Sequence, residues 1–300
     1  MIRTTPLPRV HAPSREAFIR EYLEPRRPVI ISGWMSEWPA MRKWSLGYFR
    51  EAFGTREVNT MVDLPSEGTF FSRKLQPHAR RQSLAAFVEL IESRERTRPC
   101  YLNAVRVESM EGLAPDVPFP RFGPEQGSTK SLLWLGSEGT RLTFHFDFMD
   151  NFLAQVMGEK RLLLASPEDS ASMYPSLDNL SESMVDVEGP DPSAWPRFAH
   201  ARVLEGILRP GDMIFMPRVW WHEVRSLSPS ISVNYWWSPT QASDYLPVLR
   251  ACTPRHYAHI AWQFLMHGAL GIKPAERLYS PRTTGRLLWE EAVRQFRGAS

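Results

Sequence analysis

Three hundred residues at 43% hydrophobic are enough for one large domain, or for a core domain with an appendage. A net charge of +3 is too small for the concentrated basic stripe of a dedicated nucleic-acid binder. No apolar run approaches membrane-spanning length, and Met1 to Pro13 lacks the apolar stretch of a secretory signal. Two cysteines, Cys100 and Cys252, are too few for a disulfide framework or a Cys-rich metal site, so a reducing, cytoplasmic location is expected.

In chain order, residues 14–23 read as a helix opened by Ser14, with Phe18, Ile19, Tyr22 and Leu23 as its apolar stripe. Pro28 to Gly33 reads as a short buried strand. A second helix is expected from Ser45 to Phe53 with Gly54 as its stop, and a third after Ser83 with Leu84, Phe87, Val88 and Ile91 on one face. Strands are expected near 57–62 and 99–107. Arg80-Arg81 and the run Arg94, Arg96, Arg98 read as charged surface near a helix end, because Glu92 and Glu95 are interspersed.

From about residue 131 the pattern turns strongly β. Ser131–Leu135, Leu142–Phe148, Asn151–Met157, Arg161–Ala165, Val203–Leu208, Asp212–Met216, Trp220–Arg225 and Ile231–Trp237 alternate with Gly/Pro turn signals. Eight short strands of this kind suggest a double-stranded β-helix, a cupin-like jelly roll. Residues 166–202, rich in Pro, Ser, Asp and Glu, interrupt it as an insertion expected to form a functional loop. Beyond Gln241 the pattern is helical again. The expected organisation is an N-terminal α/β region over 1–130, the jelly-roll core over 131–240, and a C-terminal helical appendage over 241–300. The class is mainly β with flanking α.

The motif with chemical content is His145-Phe146-Asp147, followed 75 residues later by His222. Alone, an H-x-D is cheap in a chain with 8 His and 33 Asp plus Glu. Two imidazoles and one carboxylate can, however, occupy one face of an octahedral metal and leave the other face open. That is the ligand set of a non-haem Fe(II) oxygenase, not of a closed structural zinc site. Residues i and i+2 of a strand point the same way, so His145 and Asp147 are expected to share one strand face. Phe144, Phe146 and Phe148 would fill the other.

Three further residues recur around this motif: Asn151, Lys160 just past the Gly158-Glu159 turn, and Asn234 twelve residues after His222. A 2-oxoglutarate cosubstrate chelates the metal with one end and needs a cation for its distal carboxylate. Lys160 supplies a compact charge for the latter, and the two amides can orient groups at the metal.

These stretches resemble the JmjC/cupin-like 2-oxoglutarate oxygenases. The resemblance runs through His145 to Leu164, Pro210-Gly211-Asp212 to Trp221-His222 and Ser232-Val233-Asn234-Tyr235-Trp236. It extends weakly to Arg27–Gly33 and Tyr101-Leu102-Asn103, covering roughly residues 15–240. Within the family, the chain looks like asparaginyl hydroxylases of the factor-inhibiting-HIF type and tRNA wybutosine hydroxylases. The resemblance implies Fe(II) held by His145, Asp147 and His222, with 2-oxoglutarate and O2 as cosubstrates. It implies Lys160 and Tyr101 at the distal carboxylate, Asn151 and Asn234 near the chelating end, and Trp236 in the substrate groove or the core. One departure is visible: the asparaginyl hydroxylases carry a Thr three residues before the first His, where this chain has Leu142. Thr143, of the same strand parity as His145, is the expected substitute.

The reaction class expected from this resemblance is C–H hydroxylation coupled to decarboxylation of 2-oxoglutarate to succinate and CO2. A peptide or protein side chain leads as substrate, with a peptide natural product included. A small metabolite or amino acid follows, then a modified tRNA nucleoside; N-methyl-lysine comes last, because the sequence shows no aromatic cage. A catalytically silent cupin that only binds, or a cupin isomerase or dioxygenase, is the competing class. Neither would need Lys160 together with both asparagines. A homodimer through the C-terminal helices is implied by the resemblance alone, and His78, His200, His256 and His259 are left without a site.

Overall fold

The computed structural model describes residues 3–65, 77–122, 130–187, 195–239, 241–274 and 283–298. Its frame is two sheets, one of five strands in the order β1-β11-β10-β13-β8 and one of nine in the order β2-β3-β12-β9-β14-β7-β6-β4-β5. The strands are β1 (Thr4–Pro6), β2 (Arg9–His11), β3 (Val29–Ser32), β4 (Glu57–Met61), β5 (Ala79–Ser83), β6 (Tyr101–Arg106) and β7 (Lys130–Gly136). They continue with β8 (Arg141–His145), β9 (Met149–Met157), β10 (Lys160–Ala165), β11 (Val203–Leu208), β12 (Asp212–Met216), β13 (Trp221–Ser226) and β14 (Ser230–Pro239).

β7 to β14 are the eight strands expected from the alternation. Four of them (β7, β9, β12, β14) lie in the larger sheet and four (β8, β10, β11, β13) in the smaller, which is the jelly-roll arrangement. Period-2 patterning decides which core each side chain joins. On β12, Met213 and Phe215 join the outer core beneath the N-terminal helices, while Ile214 and Met216 turn inward between the sheets. On β10, Leu162 and Leu164 point inward, and Leu163 and Ala165 face the cluster on the far side of the smaller sheet.

The larger sheet runs across residue 130, since β6 and β4 extend it beyond β7. Two helices of the N-terminal third form where their caps direct. Ser45 and Ser83 each accept a backbone N–H three residues on, opening α1 (Leu46–Phe53) and α2 (Leu84–Glu92). The apolar stripe of α2 is buried. The 60–80 stretch is in part a hairpin of β4 and β5, which carries the exposed Arg80 and Arg81 on an edge strand just ahead of the helix capped by Ser83. Residues 66–76 lie outside the described residues, as do 188–194 of the insertion.

The described part of the insertion is more ordered than a bare loop. Phe146 N–H donates to Ser181 O and Ser183 N–H to Phe144 O, each at 2.9 Å, so residues 181–183 cover the open edge of β8. Two further helices, α3 (Pro254–Gln263) and α4 (Thr284–Gly298), hold that segment from behind. His256 donates to Pro175 O at 3.0 Å and His259 meets Asp178 at 3.0 Å. Gln263 donates to Asp178 O at 3.0 Å, and Leu180 N–H to the Thr284 hydroxyl at 2.9 Å. These contacts give His256 and His259 structural work.

A buried ion cluster ties the insertion to the smaller sheet: Arg141 on β8 meets Glu223 on β13 at 2.8 Å and Asp186 at 2.6 Å. Breaking such a group strands charge in a dry place. Arg141→Leu is expected to cost about 3–5 kcal/mol in urea unfolding, because Glu223 keeps a buried carboxylate without its cation.

Candidate metal centre

The candidate site lies between the two sheets. The cavity holds about 430 Å³ of empty space counted out to its mouth, and its polar lining is His145, Asp147, Asn151, Lys160, His222 and Asn234. Leu142, Leu153, Met216 and Val224 supply apolar walls, and Tyr101, Trp134 and Trp236 supply rings. The structure thus brings together every sequence-predicted site residue except Thr143.

His145 ends β8 and lies directly across from His222 on β13, with ring centroids 4.2 Å apart. Each Nδ1 faces the backbone carbonyl two residues earlier: Thr143 O at 2.8 Å for His145, Trp220 O at 2.9 Å for His222. A carbonyl only accepts, so both Nδ1 atoms carry the proton, and Nε2 is the basic nitrogen of each ring. Burial, then the neighbouring His222 ring, pushes the His145 pKa down to about 4, so this imidazole is neutral at pH 7. One ligand atom from each of His145, Asp147 and His222 lies within 4.8 Å of the others. Two neutral imidazoles and a carboxylate at this spacing fit a divalent, borderline metal such as Fe(II).

Asp147 differs from the sequence expectation. The strand stops at His145, and Asp147 sits in the connection to β9, so the shared-face argument does not describe it. It is held by other contacts. Val219 N–H donates to its backbone carbonyl at 2.9 Å, from a residue with φ of 66°. A buried β-branched residue in the left-handed region is a strained choice, and it sits where the turn before His222 must meet the Asp147 loop. Phe148 also departs, being 37% exposed, whereas Phe144 and Phe146 are buried.

Thr143 fails for a related reason. The pairing of β8 with β13 matches His145 to His222 but Leu142 to Val224, which puts one extra residue on β8. The bulge breaks the parity rule, so Leu142 and His145 both line the cavity and Thr143 does not. The position three before the first His therefore does reach the cavity, and here it is apolar. Thr143→Ala is expected to leave 2-oxoglutarate affinity within about twofold of the parent by calorimetric titration, because the buried Thr143 side chain does not line the cavity.

Lys160 is 2% exposed and has no carboxylate partner among the described residues. Its Nζ donates to Ser232 Oγ at 2.7 Å and lies 5.9 Å from the centre of the Tyr101 ring. Burial pulls its pKa down from 10.5 to about 7, and burial raises that of the Tyr101 hydroxyl. Ser232 carries little signal in the sequence beyond its same-face spacing two residues before Asn234. Two glycines make room here. A Cβ on Gly136 would come within 2.7 Å of the Tyr101 ring, and one on Gly158, whose φ is +75°, within 2.1 Å of Pro229 O.

The amides and Trp236 form a chain ending on Asp147. Asn234 donates to Asn151 Oδ1 at 2.7 Å, and Asn151 donates to Asp147 Oδ2 at 2.9 Å. Trp236 Nε1 donates to the same Oδ2 at 2.9 Å.

Comparison with known proteins agrees with this geometry. A family model described as a cupin-like domain matches residues 14–243. The chain is 37% identical over 246 residues to lysine-specific demethylase 8 of Danio rerio, covering 78% of this chain and 59% of that protein. It is 33% identical over 241 residues to lysine-specific demethylase 8 of Xenopus tropicalis, covering 78% and 53%. It is 29% identical over 256 residues to tRNA wybutosine-synthesizing protein 5 of Gallus gallus, covering 80% and 79%. The chain thus spans under two thirds of the length of the two demethylases. Matched over more than three quarters of its residues, and carrying the two-histidine, one-carboxylate centre inside a jelly roll, the chain belongs to the cupin-like, JmjC-type family of Fe(II)- and 2-oxoglutarate-dependent oxygenases.

Proposed function

We propose that the chain hydroxylates a C–H bond of a peptide or protein side chain, coupled to conversion of 2-oxoglutarate and O2 to succinate and CO2. The observation that carries this reading is the buried ammonium of Lys160, which shares one cavity with the triad and, among the described residues, has the neutral Ser232 hydroxyl as its one hydrogen-bond partner. Burying a cation without an anion is costly, and a structural role would not require it. A carboxylate delivered by a ligand removes the cost. The register sets the Lys160 row four residues from His222 along β13, roughly 13 Å of strand, which leaves room for a short diacid between ammonium and metal.

Iron bound by His145 Nε2, His222 Nε2 and Asp147 would supply the oxidising chemistry. The chain's own residues do the rest. Lys160 and Tyr101 fix the distal carboxylate, while Asn151 and Asn234 stand at the metal-facing end. Leu142, Leu153, Met216 and Val224 keep the space between them dry. Trp236 borders this space and faces the incoming side chain.

The peptide reading draws on the relatives named as lysine-specific demethylases, whose name puts their chemistry on an amino-acid side chain. A second reading, a modified tRNA nucleoside, is favoured by the wybutosine-synthesizing relative, which matches over 79% of its own length. Both are tested at once by incubating the full chain with Fe(II), 2-oxoglutarate, and either a peptide library or bulk tRNA. The expected result is succinate formation that rises with peptide, and a peptide gaining the mass of one oxygen. Oxygen gained by tRNA alone would transfer the proposal to the second reading, and no succinate under any condition would leave the silent-cupin alternative.

The proposal includes a reducing compartment, supported by two unpaired cysteines, and pairing of two copies through the C-terminal helices. Tyr257, Trp262, Leu265 and Leu270 there are 48–61% exposed.

A further inference from the structure

Strict alternation along Tyr101-Leu102-Asn103-Ala104-Val105-Arg106 would turn Val105 toward the site and bury Arg106 beside Leu102. The structure does the reverse. β6 pairs Leu102 with Leu135 but Val105 with Leu133, so one extra residue sits on β6 as a bulge. Ala104 inside it has a φ of 58°, a strained choice for a residue with a side chain. Past the bulge Val105 packs on the outer core with Leu102, and Arg106 stands directly opposite Leu132.

Leu132 in turn stands opposite Asn234. Residues directly opposed in antiparallel strands share a face, so Asn234, Leu132 and Arg106 form one row across β14, β7 and β6. The row runs out of the cavity: Asn234 lines it, Leu132 is half-buried, and Arg106 is exposed. Its backbone ends lie two strand spacings apart, roughly 10 Å. The same face continues outward through Asn59 on β4 and Arg81 opposite it on β5, both exposed. Arg81 has Glu57 at 3.5 Å, but the Arg106 guanidinium has no hydrogen-bond or ion-pair partner among the described residues. Its planar fork of N–H donors, a shape that matches a carboxylate, is left to solvent beside the mouth.

We propose that Arg106 is a substrate-specificity residue that binds a carboxylate of the peptide, an Asp or Glu side chain about two to four residues from the one hydroxylated. The inference rests on the peptide reading of the function. An extended chain advances about 3.3 Å per residue, so a row of roughly 10 Å corresponds to about three residues of peptide. Leu132 gives the intervening stretch an apolar floor. Bulges beside active sites re-aim side chains, and this one converts a position of core parity into a cation on the docking face.

The test gives the full chain Fe(II), 2-oxoglutarate and pools of short peptides with randomised centres and acidic, neutral or basic flanks. Succinate formation and the mass of one added oxygen report turnover. The parent is expected to favour the acidic pool, with the preference fading as salt is raised. For the best acidic peptide, Arg106→Gln is expected to lower kcat/KM about three- to fivefold through KM, and Arg106→Lys to keep part of what Arg106→Gln loses. Arg106→Glu should lower it about tenfold or more and shift the preference to the basic pool. Melting curves check that each variant folds, as an exposed side chain allows. Equal turnover of the pools by the parent, or an acidic preference that survives in Arg106→Glu, would overturn the role of Arg106 and leave the peptide reading standing. No turnover of any pool, with or without oxygen added to bulk tRNA, would instead overturn the peptide reading and the carboxylate partner with it.

Discussion

Lys160→Met is expected to make the folded chain more stable while removing its capacity to bind 2-oxoglutarate. The side chains are similar in length, but the thioether needs no partner, whereas the ammonium is buried against Ser232 and the Tyr101 ring. Replacing an uncompensated buried charge by an apolar group is expected to stabilise by about 1–4 kcal/mol. The pH dependence gives a sharper check. With the folded pKa at about 7 and the ordinary value at 10.5, both states are protonated below pH 7, and the burial cost is then fully present. Between pH 7 and 10.5 the unfolded chain holds more protons, so stability rises with pH across that window. Lys160→Met should flatten this rise in thermal melts taken at a series of pH values. Binding moves the opposite way. The ligand carboxylate needs the protonated ammonium, so parent affinity should be level below pH 7 and weaken about tenfold per unit above it. In the variant, affinity should fall by about 100-fold or more by calorimetry, the loss of a buried charge pair. A variant that binds 2-oxoglutarate normally would remove the main support for the proposed function.

His222→Ala is expected to reduce succinate formation to background through loss of metal. The ring gives Nε2 to the centre because its Nδ1 is committed to Trp220 O, and no other described imidazole lines the cavity except His145. The loss should exceed the ~10–100-fold that follows removal of a supporting partner, because a direct ligand is gone. Metal content after dialysis and single-turnover succinate assays check it, and Asp147→Ala should behave alike. Retained hydroxylation in His222→Ala would contradict the assignment.

Much of this was legible beforehand, for local reasons. The eight strands of the jelly roll carry period-2 patterns bounded by turns such as Gly158-Glu159, and Ser45 and Ser83 cap their helices as their positions suggest. What escaped depends on distant partners. β1 and β2 are three residues each and exist only because they pair with β11 and β3. β5, with the sequence ARRQS, has no apolar face to announce it. The bulge that turns Leu142 into the cavity and removes Thr143 is a property of the pairing with β13, and nothing in either strand alone encodes it. The triad was readable from residue types, but the position of Asp147 beyond the strand end, and its grip by Trp236 across 89 residues of chain, were not.

The short N-terminal strands also set a schedule for how the protein takes shape. β1 lies parallel to β11 on the smaller sheet, β2 lies parallel to β3 on the larger one, and Leu7 between them is buried in the inter-sheet core. Thr4 cannot meet Val203 until roughly 200 further residues have left the ribosome, a wait of about 10–40 s at ordinary rates of synthesis. The segment that joins the two layers along one side is therefore made well ahead of β11 and docked on it late, and the edge of β11 stays open to wrong partners until β1 arrives.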